Sequence, residues 1–428
     1  MKKKFVEYTL EELVALETQL REEFDHTQHH KLTLNLSRGK PASDQLALSN
    51  GLESVIKDQY ITASGTDVRN YGDLRGIKEA RELGAQLMDA PAENIIAGGN
   101  SSLFLMHLVM STALKAGLWG DNRKWSDAQP PKILTPVPGY DRHFALTESL
   151  GVEMVNIDIG ENGPDMKHAL ELIKTDSSIK GIWCVPQYSN PTGCTYSPET
   201  IDALVELPAK AAARDFLVLA DNAYSVHHLE TPNEHMKSIF AAAQSAGTAN
   251  HVVQFASTSK ITFAGGGIAF VASGEQVLSS LETALGFMMI GADKVNQLKH
   301  SRFLSGRIQS HMQAHADLLK PKFSLVEKHL EQALGGLGIA QWSTPKGGYF
   351  VSLDLLPGLA ADVVAMAHSA GLTLTPAGAT FPYGKDPKDR NVRIAPSFAT
   401  LDELQSAMQI LTLCVKLASS RKLIETRH

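Results

Sequence analysis

The chain is poor in cysteine, and this scarcity excludes two kinds of protein. Its three cysteines, Cys184, Cys194 and Cys414, are odd in number and lack the CxxC spacing of thiolate metal sites. The sequence therefore indicates neither a disulfide framework nor a metal centre. A reducing cytoplasm is the compartment that fits this cysteine usage best.

Basic character and long apolar runs are also absent. The formal net charge of −6 argues against a nucleic-acid or anionic-membrane partner. Apolar stretches such as Leu103–Leu114 are shorter than the roughly 20 residues that span a bilayer, so we expect no membrane segment. Neither a Walker motif nor a complete dinucleotide fingerprint occurs. With 428 residues, 43% of them hydrophobic, the composition is typical of a globular protein of more than one domain.

The order of apolar and helical segments predicts an α/β fold. From about residue 94 to 273, short apolar runs alternate with helical stretches, the pattern of βαβ units around a mostly parallel sheet. A long helical pattern follows from about 294 to 329, then short strands in GGYFVSLDL and NVRIAPS and a helix from Leu401.

This order predicts a large α/β domain, whose mostly parallel central sheet is flanked by helices, and a smaller α+β domain. We assign residues 1–65 to an N-terminal helix and part of the small domain. Residues 66–300 would form the large domain, and residues 301–428 the C-terminal part of the small domain. Thr9 and Glu12 have the spacing of a capping box at the start of the first helix.

Three short motifs end apolar, strand-like runs in the predicted large domain. They are NPTG (190–193), DNAY (221–224) and STSK (257–260). Each alone is common, because Asn-Pro-Gly and Asp are ordinary turn residues and most lysines are solvated. In this order, they resemble the fold type I pyridoxal-phosphate enzymes, in particular the class I aminotransferases. The resemblance extends from about Leu34 to Phe398.

The resemblance implies a role for each residue around the cofactor ring. Lys260 would carry pyridoxal phosphate as a Schiff base and would then move the substrate's proton as general base and acid. Asp221 would face the pyridine nitrogen and keep it protonated. Asn190 and the Tyr224 hydroxyl would bind the ring's phenolic oxygen, and Tyr140 would stack on the ring.

The same resemblance implies a phosphate site and a homodimer. Gly99, Asn100 and Ser101 stand at the start of an apolar helix, whose free N–H groups favour an anion. Ser257 would be a further phosphate ligand. Tyr71 resembles the tyrosine that reaches the phosphate in the neighbouring subunit, so the active unit would be a homodimer with shared sites. Taken singly, these residues would pass for a glycine-rich turn and a core aromatic.

Substrate recognition is predicted from both ends of the chain. Arg393 in NVRIAPS matches the arginine that binds the α-carboxylate through a bidentate pair, which lysine cannot reproduce. Asn190 would support this contact, and the Gly39 backbone in SRGKP resembles a loop that covers the substrate. We expect aspartate with 2-oxoglutarate, whose second carboxylate needs another cation. Arg38 and Lys40 are the candidates for that cation, and the alternative for either is a surface charge.

One position departs from the family pattern. Many class I aminotransferases have a phosphate-binding arginine eight residues after the Schiff-base lysine, and here that position is Ile268. Another cation, or N–H groups of Gly265–Gly267, would have to compensate. This glycine-rich version is similar to a divergent branch, often called MocR-like, that includes bacterial aspartate aminotransferases.

Other functions fit the same motifs. A lyase, a decarboxylase, or an aminotransferase of broad or aromatic specificity would keep the cofactor site and break a different bond or accept a different substrate. An amino-acid-sensing transcription regulator would carry an added DNA-binding domain. Only about thirty residues precede SRGKP, fewer than an independent domain needs, so we expect an enzyme.

Overall fold

The computed structural model describes residues 3–29, 32–120, 123–128, 130–230 and 236–427. The helices are α1 (Leu10–Gln28), α2 (Ser43–Ala47), α3 (Lys78–Met88), α4 (Ser102–Lys115), α5 (Asp141–Ser149), α6 (Met166–Thr175), α7 (Pro198–Lys210), α8 (Ile239–Ser245), α9 (Glu275–Gly286), α10 (Lys294–Leu304), α11 (Ile308–Leu334), α12 (Ala360–Ser369) and α13 (Leu401–Glu425). The strands are β1 (Leu34–Asn35), β2 (Ile95–Ala97), β3 (Lys132–Val137), β4 (Glu153–Gly160), β5 (Gly163–Pro164), β6 (Ile179–Cys184), β7 (Leu217–Asp221), β8 (Val252–Ser257), β9 (Ala269–Ala272), β10 (Ala340–Trp342), β11 (Val351–Leu355), β12 (Leu372–Thr373) and β13 (Asn391–Ile394).

Eight strands form one large sheet in the order β2-β9-β8-β7-β6-β3-β4-β5. The central strands β8, β7, β6, β3 and β4 are parallel, whereas β9, β2 and β5 pair antiparallel. Every residue of β6 and β7 is buried, which explains why these strands read as continuous apolar runs rather than alternating ones. The predicted fold class, a mostly parallel sheet flanked by helices plus a smaller domain, is confirmed.

A second apolar core joins the two ends of the chain. Strand β1 pairs with β12 through Leu34 and Leu372, and α1 packs against α13. Phe24 and Leu36 belong to the same buried cluster as residues of α11 and α13, beside the antiparallel sheet β10-β11-β13. The shared core agrees with assigning the N-terminal segment to the small domain, while the boundaries near residues 65 and 300 stay a prediction.

Local signals set the ends of several helices. Thr9 Oγ1 accepts from the Glu12 backbone N–H at 3.2 Å, and Glu12 Oε2 accepts from the Thr9 N–H at 2.6 Å, so the capping box is confirmed. The single long helix expected from 294 to 329 is instead two helices, α10 and α11. Gly306 lies between them at a φ of 65°, a left-handed conformation that interrupts a right-handed helix. Within the described ranges, no helix is both long and apolar enough to cross a bilayer.

Candidate active site

The residues predicted to act in chemistry meet at the carboxyl edge of the large sheet. Tyr140 follows β3, Asn190 follows β6, Asp221 is the last residue of β7 and Ser257 is the last of β8. Lys260 ends the short 3-10 turn after β8. Since β3, β6, β7 and β8 are parallel, their carboxyl ends share one edge, where open α/β sheets bind ligands.

The Lys260 side chain enters an apolar, aromatic environment. Its Nζ lies 4.9 Å from the centroid of the buried Tyr224 ring. Burial lowers the pKa of Lys260, and the Asp221 charge partly opposes this shift. A desolvated lysine with a lowered pKa is a better amine nucleophile than a solvated one. Burial also raises the pKa of the Tyr224 hydroxyl well above its usual value, so this group stays protonated.

The two carboxylate oxygens of Asp221 differ in their hydrogen bonding. Its Oδ2 accepts a hydrogen bond from His143 Nε2 at 3.1 Å, and the His143 ring stacks on Trp183 at 4.2 Å between centroids. The residue is only 3% exposed. Within the described part of the chain, its buried Oδ1 has no hydrogen-bond partner. A buried carboxylate oxygen without a donor is costly, which points to a ligand that donates to it.

Asn190 shows the same combination. Its Oδ1 accepts from Arg393 Nη1 at 3.3 Å, while its buried Nδ2 has no acceptor among the residues described. Asn190 is 2% exposed. The site therefore leaves unused one amide donor at Asn190 and one carboxylate acceptor at Asp221.

Arg393 projects from β13 into this region, although it belongs to the second core. It is 6% exposed, and its guanidinium lies 4.8 Å from the Phe350 ring centroid. Nη1 donates to Asp141 Oδ1 at 2.8 Å and Nε donates to Thr375 Oγ1 at 3.3 Å. These contacts fix the plane of the guanidinium beside Asn190 and use both Nη1 protons and the Nε proton. A carboxylate ligand would therefore bind at Nη2 or take the place of Asp141.

The segment Ser37–Pro41, which we call the substrate loop because the family resemblance predicts that it covers the substrate, contacts the tip of the Phe350 ring through Gly39. A Cβ added at Gly39 would lie 2.5 Å from a Phe350 ring carbon, so only glycine fits this approach. The Ser37 carbonyl faces Arg393 Nη2 at 3.5 Å, and the Lys40 carbonyl accepts from the Ser397 hydroxyl at 3.0 Å. The loop and Arg393 therefore lie side by side, and the role of Gly39 stays a prediction.

The predicted phosphate residues also come together. Ser101 Oγ caps α4 by accepting from the Phe104 N–H, and Gly99 joins β9 through the Ala269 N–H. Ser259 connects this segment to the turn after β8. Its hydroxyl lies 2.7 Å from Ser257 Oγ and donates to the Asn100 carbonyl at 3.3 Å. The helix N-terminus and two hydroxyls thus border one region suited to an anion.

The side chain at position 268, where many class I aminotransferases have a phosphate-binding arginine, is buried in an apolar cluster. Ile268 is 1% exposed and packs in the apolar cluster that contains Phe270, and its N–H donates to Thr258 Oγ1 at 2.9 Å. The Gly266 and Gly267 carbonyls accept from Asn296 Nδ2.

Four other predicted residues differ in their placement: one is half-buried beside His143 and three are exposed. Tyr140 is near the centre, with its ring edge-on to His143 at 4.9 Å, and burial raises the pKa of its hydroxyl. Tyr71 is 81% exposed on the surface of this chain. Arg38 is also exposed, as is Lys40, whose Nζ lies 3.8 Å from the Phe398 ring centroid.

Sequence reasoning missed several residues that the fold brings into the site. His143 and Asp141 stand three and one residues after Tyr140, at the start of α5, so the segment YDRH was a usable signal. Ser259, inside the motif STSK, is a third site residue that the sequence analysis did not name. Trp183 and Phe350 gave no local signal, because their roles depend on stacking partners far away in the chain.

Known proteins similar in sequence and in fold to this chain are aminotransferases. The family model described as aspartate amino-transferase matches residues 8–427. A Mycolicibacterium smegmatis protein named only as an aminotransferase is 46% identical over 420 residues, covering 97% of each chain. An aspartate aminotransferase of Corynebacterium glutamicum is 39% identical, covering 97% of this chain and 96% of its own. The crystal structure of an aspartate transaminase from the same organism superposes with a TM-score of 0.94 at 38% identity, covering 99% of this chain and all of that one.

The fold and the matches define a transaminase of the fold type I class of pyridoxal-phosphate enzymes. The chain belongs to the aspartate aminotransferase family. The predicted family is thereby confirmed, and the MocR-like branch stays a prediction.

Proposed function

We propose that this chain catalyses pyridoxal-phosphate-dependent transfer of an amino group from aspartate to 2-oxoglutarate, with Lys260 as the residue that attaches the cofactor. The observation that carries the proposal is the pair of unpaired buried atoms, Asp221 Oδ1 and Asn190 Nδ2, in the same site as the desolvated Lys260. A pyridine N–H and a phenolic oxygen are the groups that would satisfy them.

The residues fit the cofactor on chemical grounds. When bound, pyridoxal phosphate supplies a ring that accepts the electrons released at the substrate Cα. Asp221 would hold a proton on the ring nitrogen, and the His143 hydrogen bond keeps its carboxylate in place. Asn190 Nδ2 and the protonated Tyr224 hydroxyl would donate to the ring oxygen, while Tyr140 would cover one ring face. Gly99, Asn100, Ser101 and Ser257 would hold the phosphate at the start of α4.

Lys260 would also act as the proton carrier. A free Nζ with a lowered pKa would take up the proton released at the substrate Cα and hold it for the next proton transfer. Arg393 would hold the α-carboxylate through a bidentate pair and so orient the Cα–H bond toward Lys260. The substrate loop with Gly39 would then exclude water from the site.

The choice of aspartate is supported by relatives that carry this substrate in their names. A side-chain carboxylate needs a second cation, and Arg38 in the substrate loop is the proposed partner, with Lys40 as the alternative. Both side chains are exposed and could close over a bound ligand. If Arg38→Ala and Lys40→Ala both leave the preference for aspartate over alanine unchanged, neither residue has this role.

The active unit proposed is a homodimer in which Tyr71 reaches the partner's phosphate site. In the single chain Tyr71 is 81% exposed, and the large apolar residues Phe287, Met288 and Ile290 are 87%, 57% and 63% exposed. The Gly72 carbonyl lies against Gly291, so Tyr71 and these residues belong to neighbouring segments. Exposed large apolar side chains of this kind are typical of protein interfaces.

The experiment that tests the function is a half-reaction. The protein loaded with pyridoxal phosphate is mixed with aspartate and no acceptor, and the products are analysed. Transamination yields one equivalent of oxaloacetate per site and the amine form of the cofactor, without free ammonia. Continuous release of ammonia, or of carbon dioxide with alanine, would instead show lyase or decarboxylase chemistry and reject the proposal.

A further inference from the structure

The backbone that carries Lys260 is held by side chains that do not themselves reach the reacting atoms. The Lys260 carbonyl accepts from Tyr349 Oη at 3.4 Å and from His227 Nε2 at 3.3 Å. The next carbonyl, that of Ile261, accepts from His315 Nε2 at 2.9 Å and from His311 Nε2 at 2.7 Å. Two successive carbonyls thus have four side-chain donors.

Gln45 connects two of these donors to each other. It is fully buried in α2, and its Nε2 donates to Tyr349 Oη at 3.0 Å and to His315 Nδ1 at 3.3 Å. Its Oε1 accepts from the Ala42 N–H at 3.1 Å, which fixes the orientation of the amide. Every polar atom of the Gln45 side chain is therefore engaged.

The direction of each hydrogen bond follows from these partners. An amide nitrogen can only donate, so His315 Nδ1 accepts and its Nε2 carries the proton given to Ile261. The Tyr349 oxygen accepts from Gln45 and donates to Lys260. Burial lowers the pKa of His315 to about 4, which keeps the ring in this neutral form. One arrangement of protons satisfies the hydrogen bonds among Gln45, Tyr349, His315 and the two carbonyls.

Gln45 also links this set to the substrate loop. Ala42 directly follows the loop Ser37–Pro41, whose Gly39 packs on Phe350 and whose Ser37 carbonyl faces Arg393. The hydrogen bonds that connect the end of the substrate loop to the backbone of Lys260 and Ile261 therefore pass through the buried Gln45 amide.

We propose that Gln45, Tyr349 and His315 are positioning residues for Lys260: they fix the carbonyls of residues 260 and 261, and Gln45 couples that backbone to the substrate loop. The inference rests on the proposed role of Lys260 as the cofactor's attachment point. It assigns none of the three to the reacting atoms.

The test compares Gln45→Met, Tyr349→Phe and the double variant with the wild type. The main readout is the rate at which the cofactor-free protein attaches pyridoxal phosphate, followed by visible absorbance, together with the pH titration of that absorbance. We expect each single variant to attach the cofactor about five- to tenfold more slowly, with a shifted titration midpoint. Because Gln45 and Tyr349 belong to one chain of hydrogen bonds, the double variant is expected to be slowed by less than the product of the two single effects.

A matched control separates positioning from general destabilisation. Thr412→Val removes a buried hydroxyl that bonds only carbonyls of its own helix α13, and it should change neither readout. Tyr349→Phe keeps the ring and removes one hydroxyl, so it decides the question if Gln45→Met does not fold. Wild-type attachment rates and titration in both single variants, even with lower melting temperatures, would reject the positioning role. If the wild type itself fails to attach the cofactor at Lys260, the proposed function fails instead.

Discussion

Two buried side chains in this site, Asp221 and Asn190, each have one polar atom with a hydrogen-bond partner and one without. Asp221 has one oxygen fixed by His143 and one without a donor, and Asn190 has one amide atom fixed by Arg393 and one without an acceptor. Sequence order located both residues because each follows a strand whose carboxyl end is at the site. The sequence offered His143 only through its place in the segment YDRH after Tyr140, and its stack on Trp183 beside Asp221 arises only in the folded chain.

Arg393 offers a sharp test at the residue scale. Arg393→Lys keeps the charge and removes the forked geometry, so we expect kcat/KM for aspartate to fall roughly 10–100-fold, mainly through KM. Steady-state kinetics over a range of aspartate concentrations measures this. Arg390→Lys, at a half-exposed arginine three residues earlier, is the control and should behave as wild type. Equal effects of the two substitutions would contradict the role of Arg393.

Among the secondary-structure elements, the sequence predicted the start of a helix correctly where a short local motif determines it. The capping box at Thr9 starts α1, and Leu401 starts α13 as expected. The break between α10 and α11 was missed because helical periodicity continues on both sides of Gly306. Strand β1 has only two residues, since its pairing partner β12 is as short and lies more than 300 residues away.

The glycine stretch 265–267 provides a prediction for the turn that holds Lys260. A Cβ at Gly267 would lie 2.9 Å from the Ser259 nitrogen and from Thr258 Oγ1, whereas one at Gly265 meets nothing within 4 Å. Gly267→Ala should displace the turn and weaken cofactor binding by about 1–3 kcal/mol, and Gly265→Ala should not. Equilibrium titration of the cofactor-free protein measures both. Similar affinities for the two variants would show that the close approach at Gly267 is unimportant.

For the whole molecule, the architecture could be predicted because the βαβ alternation fills the middle of the chain. Both chain ends were assigned from the sequence to the small domain, whose boundaries stay a prediction, and in the structure α1 packs against α13. The buried histidines around Lys260 were not predicted, because a histidine in a helical pattern such as α11 carries no sign of which carbonyl it will reach.

Those histidines make global stability depend on pH. Burial lowers the folded-state pKa of His227 to about 3 and of His315 to about 4, against 6.5 for the ordinary side chain. Between about pH 6.5 and 4, the unfolded chain binds protons that the folded chain excludes, so stability falls as pH falls. The slope should approach about 1.4 kcal/mol per pH unit for each histidine.

Chemical denaturation at several pH values measures this slope. His315→Gln should be less sensitive to acid than the wild type, while substitution of the exposed His107 by Gln should leave the slope unchanged. An identical slope in all three proteins would contradict a neutral, buried His315.

Subunit mixing tests whether Tyr71 serves the partner's site. Lys260→Ala and Tyr71→Ala chains should each have little activity alone. In a mixed dimer, one site has both substitutions and the other has an intact Lys260 with an intact Tyr71, so activity should return after unfolding and refolding the mixture. Absence of recovery, with dimers verified by sedimentation, would place Tyr71 in its own chain's site or in none.

The central claim is that Lys260 binds pyridoxal phosphate covalently, and one measurement tests it most directly. The loaded protein is reduced with borohydride, digested, and analysed by mass spectrometry for the phosphopyridoxyl group. The account predicts the label on Lys260, its loss together with the visible absorbance in Lys260→Ala, and its retention when the surface residue Lys237 is replaced by alanine. A label on another lysine, or an unchanged visible band in Lys260→Ala, would contradict the account.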